Sequence, residues 1–212
     1  MIRRILVWDT PTRVFHWLQV LSFCVAYLTA FSERMRNYHV ALGYILLGLL
    51  VFRLLWGFIG TRYARFRSFL FNPKEIFSYL LTLFKGKPAY FPGHNPAGSV
   101  SVWLLLALGL FVCITGVLAL QDNASDLVVD LHGLATNVML GVIALHLVGV
   151  LASSIQHREN LVRSMLTGFK PVSGQKSAES DQGIRNAYHW LGMLMVAAVV
   201  IFWFAYVKRP LG

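Results

Sequence analysis

Two histidines, His132 and His146, lie on one long hydrophobic segment and are the residues whose type and spacing point most clearly to chemistry. An ionisable side chain inside a membrane helix costs free energy and usually serves a function. A step of 14 residues separates the two by about 21 Å along a helix and by only about 40° around it. Both imidazoles therefore face the same way, near opposite edges of a hydrocarbon layer about 30 Å thick. This arrangement suits two stacked metal cofactors better than one catalytic centre.

The elements that position these histidines follow from hydropathy. Of the 212 residues 57% are hydrophobic and only 13% are charged, which argues against an ordinary soluble globule. Five apolar stretches are long enough to span a membrane as helices, and they cover residues 14–31, 39–60, 99–120, 132–152 and 189–207. A membrane barrel would instead show segments of about 10 residues with alternating polarity. The sequence therefore predicts an all-α integral membrane protein.

The charge distribution predicts the orientation of the helices. With five spans, the N-terminus and the 61–98 and 153–188 loops share one side and carry 14 of the 19 Lys and Arg residues. The positive-inside rule places that side in the cytoplasm and the C-terminus in the periplasm of a bacterial inner membrane. The formal charge of +10 is thus a topology signal and a contact for anionic membrane lipid. No base-reading motif accompanies it, so nucleic acid is not an expected partner.

Four histidines fall at two predicted depths. His16 lies near the cytoplasmic start of the first span and pairs in depth with His146, whereas His39 opens the second span on the far side and pairs with His132. Two neutral imidazoles facing each other in a bundle can occupy both axial positions of a haem, which favours electron transfer over oxygen binding. Structural zinc is less apt, because it wants four clustered ligands, usually including thiolates.

The arginines and glycines near these histidines each allow two interpretations. Arg53 follows His39 by the same 14-residue step, and Arg13 precedes His16 by three residues, so either could pair with a haem propionate or extend to the headgroups. Glycines on the ligand helices could admit a macrocycle or serve helix packing; these are Gly43, Gly48, Gly133 and Gly141. In the loops, residues 76–84 are too short to span and fit an interfacial segment, and residues 93–96 are typical of a turn.

Several motifs carry a resemblance to a known family. They are VWDTPTRVFHW at residues 7–17, HVALGY at 39–44, RLLWG at 53–57, GHNPAG at 93–98, HRENL at 157–161 and MLTGFK at 165–170, together with the helix from His132 to His146. In these features the chain resembles the prokaryotic cytochrome b561 and hydrogenase-type cytochrome b family over about residues 5–170. The resemblance implies a four-helix diheme core with two non-covalent haem b groups, and His16, His39, His132 and His146 as their axial ligands.

The remaining expectations extend this core. Residues 1–170 form the diheme core, 171–188 a cytoplasmic linker that is flexible over 172–183, and 189–212 an added fifth transmembrane helix with a short periplasmic tail. The resemblance implies electron exchange between the quinone pool, ubiquinone or menaquinone, and a periplasmic cytochrome c or a dehydrogenase or hydrogenase-type subunit. His189, His157 and Arg158 are candidates for the quinone or proton site. Whether the chain forms a homo-oligomer is left open.

Two other functions are open on the sequence. A superoxide:quinone oxidoreductase would need a cationic funnel at the outer haem, for which only Arg34 and Arg36 are available. A proton or metal transporter using the buried histidines would be expected to place carboxylates at mid-membrane, and no Asp or Glu lies in a predicted span.

Overall fold

A computed structural model describes residues 3–86, 89–172 and 183–208. Seven α-helices and two short strands make up this part of the chain. In chain order they are β1 Arg3–Leu6, α1 Thr10–Thr29, α2 Arg36–Ile59, α3 Pro73–Phe84, α4 Pro96–Leu118, α5 Asp126–Gln156, α6 Leu161–Thr167, β2 Phe169–Val172 and α7 His189–Val207.

Side-chain caps fix where several helices begin. Asn72, Asn95 and Asn160 each accept a hydrogen bond from the backbone N–H three residues later, and Pro73 and Pro96 occupy first-turn positions. Such a cap satisfies one of the backbone donors that a helix start leaves unpaired, and proline lacks that donor. The interfacial segment expected at 76–84 is therefore the end of a longer capped helix, α3.

Four helices of the described chain are long and apolar enough to cross a membrane. They are α2 with the 3-10 turn before it (Glu33–Ile59), α4, α5 and α7. By length and composition these four helices fit the predicted spans, whereas α1, which carries Arg13, His16 and Gln19, is not among them. That α1 spans the membrane, and that α7 adds a fifth span, stay predictions. Helix α5 begins six residues before the expected start of its span, so His132 lies in its second turn rather than at its first residue.

The helices pack in a definite order. Helix α1 packs along α2, α2 contacts α4, and α4 packs along α5, while α7 lies against α1 and α2. A Cβ atom added at Gly192 of α7 would lie 2.6 Å from Cγ2 of Thr10, so the absence of a side chain lets α7 approach α1 closely. Helix α5 packs closely against α4 and α6 but not against α1 or α2.

A small antiparallel sheet corrects the expectation of purely helical structure. Strand β1 pairs with β2, with Arg3 opposite Val172 and Ile5 opposite Lys170. Gly168 precedes β2 with φ of 87°, and an added Cβ there would lie 2.6 Å from the Trp8 carbonyl oxygen. Pro171 and Val172, expected in the linker, belong to β2. The other residues that were expected to be flexible, up to residue 182, lie outside the described residues.

Candidate functional site

The structure places the imidazole rings of His39 in α2 and His132 in α5 close to each other. Their ring centroids are 6.1 Å apart, and the ring planes are nearly perpendicular at 84°. Two imidazoles that bind one metal ion from opposite sides, each at about 2 Å, would place their centroids about 6 Å apart. The separation of this outer pair therefore matches two axial ligands of one metal.

Hydrogen bonds fix which nitrogen of each outer histidine is available. The carbonyl oxygen of Ala26 accepts a hydrogen bond from Nδ1 of His39 at 2.8 Å, and that of Val112 accepts one from Nδ1 of His132 at 3.0 Å. Since a carbonyl can only accept, Nδ1 carries the proton in both neutral rings. The lone pair of each Nε2 is thus left for a metal, which is the usual arrangement of a ligating histidine.

The second predicted pair joins α1 to the other end of α5. His16 lies within electrostatic range of His146, and Nδ1 of His16 is enclosed with no hydrogen-bond partner among the described residues. A buried polar nitrogen without a hydrogen-bond partner is rare in native protein structures and calls for an explanation. The inner pair therefore also consists of two histidines. Unlike the outer rings, however, His16 has no backbone carbonyl that accepts a hydrogen bond from its Nδ1 among the described residues.

Open space lies beside the glycines of α2 and α5. A Cβ atom added at any of Gly43, Gly48, Gly133 or Gly141 would meet no atom within 4 Å. Because α5 stands away from α1 and α2, this space adjoins the helices that carry the four histidines. Gly48, Gly133 and Gly141 are exposed, and an outward-facing glycine would also have open space beside it, so the role of these glycines beside a macrocycle stays a prediction.

Arg53 is the buried cation of α2. Only 3% of its surface is exposed, and its guanidinium carbon lies 5.1 Å from the ring centroid of Phe66 and 5.9 Å from that of Phe69. Its Nη1 atom is enclosed and has no hydrogen-bond partner in the described chain. A guanidinium held on aromatic faces with an unused N–H can donate to a carboxylate, so Arg53 fits its predicted role towards a propionate.

Arg13 has a different environment from Arg53. Its Nη1 donates to the Leu166 carbonyl oxygen at 2.5 Å and its Nη2 to Oγ1 of Thr10 at 2.9 Å. Nη1 thus ties α1 to α6 and Nη2 bonds within α1, and only Nε is enclosed without a partner among the described residues. This geometry favours a structural role for Arg13, which connects α1 to α6, over a role in binding a propionate.

The three candidate quinone or proton residues are His189 at the start of α7 and the consecutive His157 and Arg158 after α5. Nδ1 of His189 is 2.9 Å from Oγ1 of Thr10, at an exposed position where α7 begins. His157 follows the end of α5 with its ring 6.0 Å from that of Tyr90, and burial lowers its pKa. Arg158 has a left-handed backbone with φ of 51°. None of the three contacts a predicted ligand histidine in the described part of the chain.

Sequence reasoning missed the role of Asp9. This carboxylate is fully buried and accepts hydrogen bonds from the backbone N–H of Thr12 at 2.7 Å, Nε1 of Trp56 at 3.0 Å and Oγ1 of Thr61 at 2.5 Å. It is also the acidic group that acts electrostatically on Arg53. An aspartate directly before Thr-Pro-Thr is a helix-start signal that could have predicted the cap, although not the two contacts with α2 and the loop that follows.

His94 was also missed as a buried group. Its ring packs 4.8 Å from that of Trp8 and 4.5 Å from that of Phe69, and its Nδ1 has no hydrogen-bond partner among the described residues. Burial lowers the pKa of His94 to about 3, helped by the positive charge of Arg53. The sequence marked this segment only as a turn, because nothing local reveals that β1 and the 66–69 segment cover it.

These features define a class of protein. Apolar helices support a membrane location, and a close pair of histidines whose Nδ1 atoms are already hydrogen-bonded suits a non-covalently bound metal cofactor. The chain matches the family described as Prokaryotic cytochrome b561 over residues 7–168, and it therefore belongs to that family. A b-type cytochrome carries haem b, a cofactor of electron transport.

Similar proteins have hydrogenase-related descriptions. A "Probable Ni/Fe-hydrogenase B-type cytochrome subunit" of Rhizobium leguminosarum bv. viciae is 25% identical over 210 residues, covering 76% of this chain and 87% of the relative. A protein of the same description from Azotobacter chroococcum mcd 1 is 30% identical over 137 residues, covering 52% of this chain and 57% of the relative. The "Probable Ni/Fe-hydrogenase 1 B-type cytochrome subunit" of Escherichia coli (strain K12) is 25% identical over 136 residues, again with 52% and 57% covered. No solved structure matches.

The residues present fit haem b. The outer pair offers two imidazole rings at a centroid separation that suits one metal ion, the glycines adjoin open space, and Arg53 keeps an unused donor for an acidic substituent. In the described chain no group of three or more His, Cys, Asp or Glu side chains could hold a metal ion. Paired histidines with a macrocycle between them need no such group.

Proposed function

We propose that this protein is a diheme cytochrome b that carries electrons across the bacterial inner membrane, between a redox protein and the quinone pool. The observation that carries the proposal is the outer histidine pair, whose Nδ1 atoms are both bonded to backbone carbonyls. Bound haem supplies reversible one-electron chemistry with both axial positions filled. The chain's own task is to hold the two imidazole pairs at two depths and to keep water from them.

Each pair is held by α5 and one other helix. His132 and His146 both lie on α5, while His39 comes from α2 and His16 from α1. We propose that α1 spans the membrane with the other helices, since it packs along α2 and α7, and that the N-terminus is cytoplasmic. This topology places the His16–His146 pair near the cytoplasm and the His39–His132 pair near the periplasm.

The relatives' descriptions suggest the partner. The match with one protein described as a Ni/Fe-hydrogenase cytochrome subunit covers 87% of that protein's length. A periplasmic hydrogenase-type subunit is therefore the proposed electron donor at the outer pair. Quinone is the proposed acceptor near the inner pair. There His157, neutral because burial lowers its pKa, could bind and pass on a proton.

A reduced-minus-oxidised absorption spectrum with haem extraction tests the proposal. Two haem b per chain are expected in the purified protein, and His146→Ala should remove the inner haem while retaining the outer one. The matched control is His189→Ala, which changes a histidine at the start of α7 whose side chain contacts Thr10 and no proposed ligand and should leave both haems. One haem per chain, or two that survive both His39→Ala and His132→Ala, would refute the ligand assignment.

Electron flow needs a separate measurement. In vesicles containing the protein and a hydrogenase-type partner, hydrogen should reduce the haems, and added quinone should reoxidise them. Reduction by superoxide in the absence of that partner would favour the superoxide:quinone alternative instead.

A further inference from the structure

A basic recess lies just beyond the end of α2. It has a volume of about 420 Å³ and is lined by residues of the 62–68 and 91–94 segments, among them Arg62, Arg65, Arg67 and His94. None of its lining residues is acidic. Arg65 and Arg67 therefore border one space whose lining, among the described residues, offers them no carboxylate.

The arginines of the recess have donors to spare. Nε of Arg65 is enclosed and lacks a hydrogen-bond partner, and over the described residues the side chains of Arg65 and Arg67 form no ion pair. By contrast, the buried Lys170 nearby is paired with Glu159. Since an enclosed cationic donor without an acceptor is unfavourable, the recess is built for an anion, and guanidinium groups suit phosphate oxygens in particular.

The surface next to the recess indicates where that phosphate comes from. Leu55, Phe58 and Ile59 of the last turns of α2 are 61–77% exposed, as expected for side chains that face lipid tails. The ring of Phe58 packs 5.3 Å from that of Phe66, which lies in sequence between Arg65 and Arg67. Lipid-facing apolar surface and unbalanced arginines are therefore continuous.

We propose that this recess binds the phosphate group of an anionic phospholipid, with the acyl chains lying along the end of α2. The positive-inside rule explains why arginines are numerous on this side of the membrane, but it does not require them to converge on a cavity. Basic pockets at the cytoplasmic end of membrane helices are known to take anionic headgroups.

Native mass spectrometry of the purified, haem-loaded protein tests the proposal. The protein is titrated with phosphatidylglycerol, with phosphatidylcholine as the zwitterionic reference. The variant Arg65→Gln/Arg67→Gln should bind phosphatidylglycerol roughly tenfold to thirtyfold more weakly at low salt, given about 1 kcal/mol for each basic residue near an anionic surface. The variant Arg65→Lys/Arg67→Lys should regain most of the affinity.

The matched control is Arg34→Gln/Arg36→Gln, which removes the same charge from exposed positions at and just before the start of α2. It should change phosphatidylglycerol binding less than about twofold, and the absorption spectrum of every variant should show that the fold is kept. Equal losses in both double variants, or equal retention of phosphatidylcholine, would overturn the proposal. Displacement of the lipid by millimolar inorganic phosphate would assign the recess to a free anion instead.

Discussion

The buried ion pair between Glu159 and Lys170 offers the sharpest test of how the loops close over the helices. Oε1 of Glu159 and Nζ of Lys170 are 3.3 Å apart, and each side chain is only 4% exposed. Nζ also donates to the Phe91 carbonyl oxygen at 3.4 Å and lies 5.7 Å from the ring centroid of Tyr90. Three segments distant in sequence thus meet at one amine, whose pKa is lowered by burial and raised again by Glu159.

The structure gives the size of the expected effect. At 3.3 Å the Coulomb attraction is about 5 kcal/mol for an effective dielectric constant of about 20, and desolvation of the two ions opposes it by several kcal/mol each. The net value of the pair is therefore small. Lys170→Met, however, leaves Glu159 buried without its cation, which should cost about 3–5 kcal/mol.

Thermal unfolding followed by intrinsic fluorescence measures this loss. For a chain of this size, 3–5 kcal/mol corresponds to a fall in Tm of roughly 6–20 °C. The double variant Glu159→Gln/Lys170→Met removes both charges and should recover at least about 2 kcal/mol relative to Lys170→Met alone. Lys74→Met, at an exposed position of α3, is the control and should cost less than about 0.5 kcal/mol. If Lys170→Met is as stable as this control, or the double variant is no better than the single one, the reasoning is wrong.

Three further predictions follow from other buried groups. The pKa of His94 is about 3 in the folded chain and about 6.5 in the unfolded chain, so between pH 7 and 5 only the unfolded chain takes up this proton. Lowering the pH from 7 to 5 should therefore reduce the free energy of unfolding by about 2 kcal/mol more in the wild type than in His94→Phe. In Asp9→Asn a neutral amide, with only one acceptor oxygen, replaces the carboxylate that accepts three hydrogen bonds. Denaturant unfolding should show that the free energy of unfolding falls by about 2–4 kcal/mol. In His146→Ala, which should keep the outer haem alone, His39 and His132 planes that stay at 84° should give a highly anisotropic low-spin signal in electron paramagnetic resonance. A rhombic signal from that variant would contradict this geometry.

Hydropathy was a reliable guide to the long helices for a physical reason. A segment in lipid must satisfy its backbone hydrogen bonds internally, so length and apolar composition nearly suffice to predict a helix. The predicted bounds of α7, 189–207, agree with the structure at both ends. The start of α5 was missed because Asp126 and Asp130 are polar yet helical, and hydropathy detects the lipid layer rather than the end of the helix.

The pairing of His39 with His132 was predictable because helix rise and topology give depth directly. The contacts of Asp9, His94 and Lys170 were not, since each depends on segments brought together over long sequence distances. The β1–β2 pairing, for example, joins residues 3–6 to residues 169–172, and no local pattern in a four-residue strand predicts a partner so far away.

The position of α5 connects the fold to its cofactor. This helix carries one histidine of each pair, yet it packs closely only against α4 and α6 and stands off from the helices that carry the other two. Contacts between α5 and the α1–α2 pair are therefore expected to pass through whatever lies between the imidazoles. A ligand that binds the folded bundle and not the unfolded chain stabilises the fold by its binding free energy. Haem b bound between these helices, as proposed, would therefore stabilise the folded bundle, and closure of the bundle would be coupled to cofactor binding.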